Sequence, residues 1–487
     1  MGGQIELFEH NNPLLPRSAV SNPAFLPRYG FNLSVNTRSQ FTPGGVQIYD
    51  IFRKDQTPQE SLRSWFSDSS LNFKNIRFDQ EVNLLEMGIR SRRSYIHMSS
   101  KIVTRVDLNL DKDLFGLAFF GNGDTQYYKK PTEIVLSGTQ FMIQSEHRTS
   151  YGRRIGSKLY LGVSAKVIHG LARLRLDNAR FQMLTDTSVE SIYSIGVRGN
   201  VDATTTGFQQ TIFEPYDPFT YLSSIPFANY GLAYGGGVIY RPFDFLRVSF
   251  ATENQGFTEW NYFGTKHKLK VDIPMFSGLD TIGLITPQPD RSLRQELQDT
   301  IDSWYSLDEK YYFKKETNTL RPRYNFSLEY LGFPRHRLTA MVATGMGARS
   351  NVDLWAVSEH FDIKDYLQLY VSYARFWNPI PQNVWNVGFS TQVWGLQLYG
   401  QLNNLLAYLD FSRESHYYSG QIGVNINFTK NIDSDGDDIP DHRDRCKFTF
   451  GIPKYRGCPK HMFRTPHIID PKTKKLKPIR RVEERFK

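Results

Sequence analysis

The feature that most constrains this chain is a two-residue alternation of apolar and polar side chains. It begins near residue 31 and recurs, in pairs of segments joined by short turns, as far as residue 428. Phe31, Leu33 and Val35 fall on one side of the first segment, and Asn32, Ser34 and Asn36 on the other. A period of two is that of a β-strand whose faces meet different surroundings. Around Ser91-Arg92-Arg93 the arms are Leu85-Met87-Ile89 and Ile96-Met98-Ser100-Ile102. After Gly156-Ser157-Lys158 the arm reads Leu159, Leu161 and Val163 on one face, and Tyr160, Gly162, Ser164 and Lys166 on the other. Further hairpins turn at Pro242-Phe243-Asp244, Gly332–Arg335, Asp362–Asp365 and near Gly395, and Ile422–Phe428 closes the series.

One opening strand, six hairpins and one closing strand make about fourteen, and even parity puts both ends on one side. The turns within hairpins are short. The segments between hairpins, roughly 40–79, 111–140, 170–230 and 260–320, are long. Short turns on one rim and long loops on the other are the asymmetry of a transmembrane antiparallel barrel. A β-propeller would repeat at near-constant length, and this chain does not. Composition agrees: 35 Phe, 27 Tyr and 7 Trp coexist with a mean hydropathy of −0.46. Strands that are apolar outside and polar inside produce that combination. No stretch reaches the ~18 consecutive apolar residues of a spanning helix. Within the last long segment, Leu293, Leu297, Ile301 and Trp304 have helical spacing, which predicts a helix over Ser292–Leu307.

The domain reading is therefore an irregular, proline-rich segment over 1–30, an all-β barrel over 31–430, a small module over 431–460 and a basic tail over 461–487. The first residues show no basic start and apolar core of a signal peptide, so the numbering is expected to begin near a mature N-terminus. An outer-membrane location with both termini periplasmic follows from that expectation. From Arg464 to Lys487 nine Lys/Arg face three acids. In the periplasm such a tail suits anionic cell-wall groups or a partner protein better than nucleic acid, and it could also simply be solvated.

The sharpest motif is Asp433-Ser434-Asp435-Gly436-Asp437-Asp438-Ile439-Pro440-Asp441-His442-Arg443-Asp444. Counting Asp433 as position 1, carboxylates stand at 1, 3, 5, 9 and 12 (Asp433, Asp435, Asp437, Asp441 and Asp444), and Ile439 at position 7 can offer its carbonyl. Calcium takes six to eight oxygens, and this spacing wraps them around one point. As a bare acidic turn, the same carboxylates would repel. The loop departs from the helix-loop-helix calcium hand: glycine stands at position 4 rather than 6, and position 12 is Asp rather than Glu. The only two cysteines, Cys446 and Cys458, suggest a disulfide in an oxidising compartment, although reduced or metal-bound thiols are also open.

The loop resembles the thrombospondin type 3 calcium repeat, whose spaced aspartates run into a cysteine, as Asp444-Arg445-Cys446 does here. Such repeats link barrels to peptidoglycan-binding OmpA-like domains, and Gly457-Cys458-Pro459 matches the triplet that closes the linker. Only 28 residues follow Pro459, too few for that domain, so peptidoglycan binding is not implied. The barrel is similar to an uncharacterised outer-membrane family of the Bacteroidota, distantly akin to fatty-acid-transporter-like barrels. The likeness spans most of 20–430 and is carried by Ser21-Asn22-Pro23-Ala24-Phe25, Val82-Asn83-Leu84-Leu85, Asp113–Asn122, Tyr151–Gly156 and Gly256–Trp260. It implies fourteen strands with an N-terminal hatch.

Two functions follow as expectations. The first is a non-enzymatic subunit of an outer-membrane assembly or secretion complex, contacting membrane lipid and other outer-membrane or periplasmic proteins. The alternative is a fatty-acid-transporter-like channel for hydrophobic small molecules. No Gly-x-Ser-x-Gly nucleophile motif is present and the eleven histidines are scattered, so no enzyme is expected. The calcium reading predicts saturable heat when calcium is titrated into a peptide spanning Asn431–Pro459. An absence of saturable heat would remove calcium from the account.

Overall fold

The computed structural model describes residues 7–42, 76–109, 129–186, 194–206, 229–260, 264–276, 304–333, 335–345, 354–377, 382–409, 418–428, 467–469 and 476–478, less a few isolated positions within them, together with single positions that include Ile439, Asp444 and Cys458. In chain order the strands begin with β1 (Phe31–Thr42), β2 (Ile76–Arg90), β3 (Ser94–Leu108), β4 (Thr132–Val135), β5 (Gln140–Ile155), β6 (Leu159–Asp186) and β7 (Ser194–Thr206). They continue with β8 (Tyr230–Phe243), β9 (Leu246–Trp260), β10 (Gly264–Phe276), β11 (Tyr305–Tyr312), β12 (Glu316–Thr319) and β13 (Arg323–Tyr330). The series ends with β14 (His336–Gly345), β15 (Leu354–Ile363), β16 (Leu367–Phe376), β17 (Gln382–Val393), β18 (Leu396–Asn403) and β19 (Tyr418–Phe428).

Fourteen of these close a barrel in antiparallel register: β1, β2, β3, β5, β6, β8, β9 and β13 to β19. The ring is sealed by β1 against β19, from Phe31↔Phe428 to Phe41↔Tyr418. These are the fourteen segments that the alternation marks. Inside, Asn32, Ser34, Asn36 and Arg38 of β1 are buried, while Val35 is half exposed on the outer wall. The same holds on β6, where Tyr160 is buried and Leu161 and Val163 are exposed. A belt of exposed Leu, Val, Ile, Phe and Tyr around a polar interior is the inverse of a soluble protein and fits a hydrocarbon surround. The barrel is thus of the outer-membrane kind. Where the hairpins turn, aromatics gather: Phe243 stacks on Phe245 at 5.3 Å, and Tyr330 meets Phe245 and Phe333 edge-on at 5.9 and 5.3 Å, at the level where an interface belt lies.

Bulges adjust the register. The shift between Asn83 and Leu85 turns both Leu84 and Leu85 outward, each 54% exposed, and returns Glu86 to the interior, where it is fully buried. The long segments are more structured than expected. β6 runs past the end of β8 to Asp186, pairing there with β4 and β7, and β10 and β11 add to β7. This sheet continues beyond the barrel on the long-loop side. Residues 292–303 of the expected helix lie outside the described residues. Its last three, Tyr305–Leu307, instead open β11, where pairing to β10 overrides the helical spacing.

An arginine at Val163, which is 63% exposed on the outer wall, should cost ~2–4 kcal/mol near the membrane midplane. Denaturant unfolding of the barrel in lipid vesicles measures this, and an unchanged midpoint would contradict the outward register of β6.

Candidate functional site

Gly30 lies at the short-turn rim, where its carbonyl accepts the Arg90 N–H at 2.7 Å. From there the preceding residues fold back into the barrel. Leu7, Phe8, Leu15, Ala19, Ala24 and Phe25 are buried in the lumen, as are Glu9, His10, Asn11, Asn12 and Arg17. Proline at 13, 16, 23 and 27 keeps this segment out of regular structure apart from the single turn α1 (Ser18–Ser21). Its backbone polar groups therefore find partners on the barrel wall. Gln397 donates to the Leu14 carbonyl at 2.9 Å, Arg337 to that of Asn11 at 3.3 Å and Arg90 to that of Pro27 at 2.7 Å. Over the described residues 7–29 the segment is a plug, the hatch that the resemblance implies.

Three devices seat it. The first is a glycine trough. Gly152 on β5, Gly162 on β6 and Gly237 on β8 are neighbours in register on the lumen face. A Cβ at Gly162 would lie 2.1 Å from the Pro23 carbonyl carbon, one at Gly152 2.4 Å from its oxygen, and one at Gly237 2.1 Å from the Asn22 side chain. Only a wall without side chains admits the plug backbone this closely. The second device is buried charge. Arg17 Nε bonds Glu9 at 3.1 Å and lies 4.0 Å from Glu86, which also holds His97 at 2.8 Å. Across the lumen, Arg247 bonds Glu329 at 2.9 Å, Asn11 donates to Glu329, and His10 meets Ser327 at 3.0 Å. Burial holds the His10 imidazole at about 4, below its ordinary 6.5, against the pull of Glu329, so it sits neutral in the plug. A buried charge stripped of its partner costs several kcal/mol, so these contacts hold one seating of the plug.

The third device is apolar. Leu7, Phe8 and Leu15 form one cluster with Met341, Ala343, Leu354, Ala356, Tyr370, Ala374, Val384 and Tyr399 from β14 to β18. Phe8 lies 5.1 Å from the Tyr370 ring and stacks on His360 at 6.0 Å. Ala343, Leu354, Ala374 and Val384 stand at the long-loop ends of their strands, so the cluster runs as an apolar track from the plug up one wall. The wall formed by β1 to β6 is the opposite in character. Arg38 and Lys101 hold Glu81 at 3.1 and 3.0 Å, and Lys101 and Lys166 hold Glu146 at 3.4 and 3.1 Å. Arg105 holds Asp79 at 2.7 Å. Alternating signs give most of these charges two opposite neighbours, which offsets the cost of removing them from bulk water.

Of the residues singled out from sequence, Asp444 is buried, Ile439 is half-buried, and Cys458 is buried and disulfide-bonded. Asp433, Asp435, Asp437, Asp441 and Cys446 lie outside the described residues. Among the described residues no three His, Cys, Asp or Glu side chains come together as a metal site. Tyr160, Ser164 and Lys166 face the lumen as their parity requires, with Lys166 bonding Asn254 at 2.7 Å. Glu86, Glu329 and the glycine trough escape a sequence reading, because which lumen-facing positions meet the plug depends on strand order. Their only trace is a charge or a glycine on the polar parity of a strand.

Residues 23–402 match the family described as a family of unknown function, DUF5723, and the chain belongs to that family. No curated protein matches. Among solved structures, the chain is similar to a mutant of the monoaromatic hydrocarbon channel TodX, at 9% identity over 85% of this chain and 95% of that one, with a TM-score of 0.45. It is also similar to the Ralstonia pickettii toluene transporter TbuX (9%, 85% and 94%, 0.42) and to a Pseudomonas aeruginosa FadL homologue (10%, 85% and 94%, 0.41).

If the trough seats the plug, Gly162→Leu should expel it without removing a single bond. Limited proteolysis should then cut residues 7–29 in the variant and spare them in the parent protein. Equal protection would show that the trough is not what holds the plug.

Proposed function

We propose that this protein is a non-enzymatic outer-membrane channel for hydrophobic small molecules, closed at its short-turn end by its own N-terminal segment. The observation that carries the reading is the apolar track from Ala343, Leu354, Ala374 and Val384 down to Leu7 and Phe8, which faces the ion-paired wall of β1 to β6 across the lumen. A channel for ions or sugars gains nothing from alanines and leucines on its inner wall, whereas a hydrocarbon gains ~25 cal/mol for each Å² it removes from water there. Because the track ends on the plug itself, displacing Leu7 and Phe8 is the step that would open the path. In this reading the short-turn rim is periplasmic, and so are both termini.

A second reading, a subunit of an assembly or secretion complex, is favoured by a different observation. The sheet of β4, β6, β7, β10 and β11 stands beyond the barrel and exposes Lys266, Lys268 and Lys270 on alternate positions of β10. The C-terminal module belongs with this reading. Asp433, Asp435, Asp437, Asp441 and Asp444, with the Ile439 carbonyl, would hold calcium, and a Cys446–Cys458 bridge would stiffen the exit toward the basic tail. The buried carboxylate of Asp444 fits a ligand's role. Partner proteins or anionic cell-wall groups would meet that tail.

The channel reading is tested by uptake of a radiolabelled aromatic hydrocarbon into cells that depend on this barrel. Ala374→Asn puts an amide on the track, where Ala374 is fully buried. Uptake should fall about tenfold or more, the factor that ~1.4 kcal/mol represents, while heat-modifiable gel mobility stays that of the folded barrel. Unchanged uptake by the folded variant would favour the second reading.

A further inference from the structure

The outer wall carries a groove of about 640 Å³ that the plug and the lumen do not use. It lies across β17, β18, β19 and β1 on the half of the barrel nearer the long loops. Its floor comes from register. On β18 the outward residues are Leu396, Leu398, Gly400 and Leu402. Gly400 stands between Phe389 and Ile422, and Gly420 stands between Leu402 and Ser39. Gly400 and Gly420 contribute no side chain, and Ser39 and Thr37 contribute short ones. Around them Phe389, Leu402 and Ile422 project to 39, 42 and 53% exposure. The result is a notch one side chain deep in an otherwise filled wall.

The mouth differs from the floor. At the long-loop end, Phe41 and Tyr418 pair across the barrel seam at 6.4 Å. The helix α2 (Leu405–Leu409), which follows the short β18, brings Tyr408 to 5.5 Å from Tyr418. Two tyrosines at the mouth and aliphatic and phenyl carbon below give the polarity gradient of a lipid, with its polar end at the interface and its chain beneath. The groove is continuous with the lipid-facing belt, so its surroundings are hydrocarbon. Left empty, its lining would forgo dispersion contacts, and water would find few polar partners there.

We propose that this groove is a binding site for one acyl chain of an outer-leaflet membrane lipid. The chain enters at Tyr408 and Tyr418 and lies on Gly400 and Gly420 against Phe389 and Leu402. A lipid held this way exchanges more slowly than its neighbours on the flat wall and packs the seam where β19 meets β1. The inference rests on the membrane barrel and, for the leaflet, on the proposed orientation with the short-turn rim periplasmic; it stands apart from what passes through the lumen.

Native mass spectrometry of the full chain tests it, after reconstitution in palmitoyl-oleoyl-phosphatidylethanolamine vesicles and extraction into mild detergent. The parent protein should retain one lipid after the rest are stripped. Gly400→Leu raises the floor, and Ser39→Phe fills the notch from β1 with no backbone approach. Whichever of these folds, by heat-modifiable mobility, should lose the retained lipid. Val357→Leu, on the outer wall of β15 away from the groove, should keep it. No retained lipid in the parent, equal retention in the filled variants, or a free hydrocarbon in place of the lipid would each overturn the proposal.

Discussion

Everything in this structure depends on one requirement: in hydrocarbon, every backbone N–H and C=O must be bonded within the protein. A sheet meets that requirement only if it has no edge. The eleven residue pairs between β1 and β19, at the two ends of a barrel some four hundred residues long, are what remove the edge. Phe31 packs against Phe428 at one end of this seam, at 5.6 Å, and Phe41 against Tyr418 at the other. With the backbone satisfied by closure, the side chains are free to do opposite things on the two faces.

Closure also creates the interior problem that the plug and the ion pairs address. The inner wall of β1 to β6 is lined with Arg38, Glu81, Lys101, Glu146 and Lys166, whose charges are mostly withdrawn from solvent. Their cost is tolerable because opposite charges alternate across adjacent strands. The opposite wall, β14 to β18, carries fewer charges and sets an apolar cluster among buried neutral groups such as Gln368, Asn386 and Gln397. The plug joins the two: Arg17 and Glu9 engage Glu86 and Gln421, while Leu7 and Phe8 engage Tyr370 and Tyr399. A plug whose residues are shared between an ionic wall and an apolar one cannot shift toward either without losing contacts on the other.

Glycine appears on both faces of the wall for the same steric reason and with different results. At Gly152, Gly162 and Gly237 the missing side chains let a backbone in from the lumen. At Gly400 and Gly420 they leave a recess on the membrane side. Each pattern exists only because β-sheet register sets these residues side by side.

The fourteen strands, their inward and outward faces and the two unequal rims were legible in the sequence, because a period of two is local and survives without knowledge of neighbours. Tyr160, Ser164 and Lys166 point inward and Leu161 and Val163 outward simply by parity. The proline-dense start announced an irregular segment, and its resemblance to a hatch named the place. What the chain alone did not disclose is which wall the segment meets. Glu86 joins Arg17 and His97 only after a bulge at Asn83–Leu85 and the pairing of β1 with β2 and β2 with β3. Nor was the fate of the long segments visible. β6 continues beyond the barrel because β4 and β7 are there to pair with it, and Tyr305–Leu307 becomes a strand because β10 lies beside it. Alternation is a property of one strand. A trough, an ion pair or a groove is a property of several, and only closure of the ring decides which several.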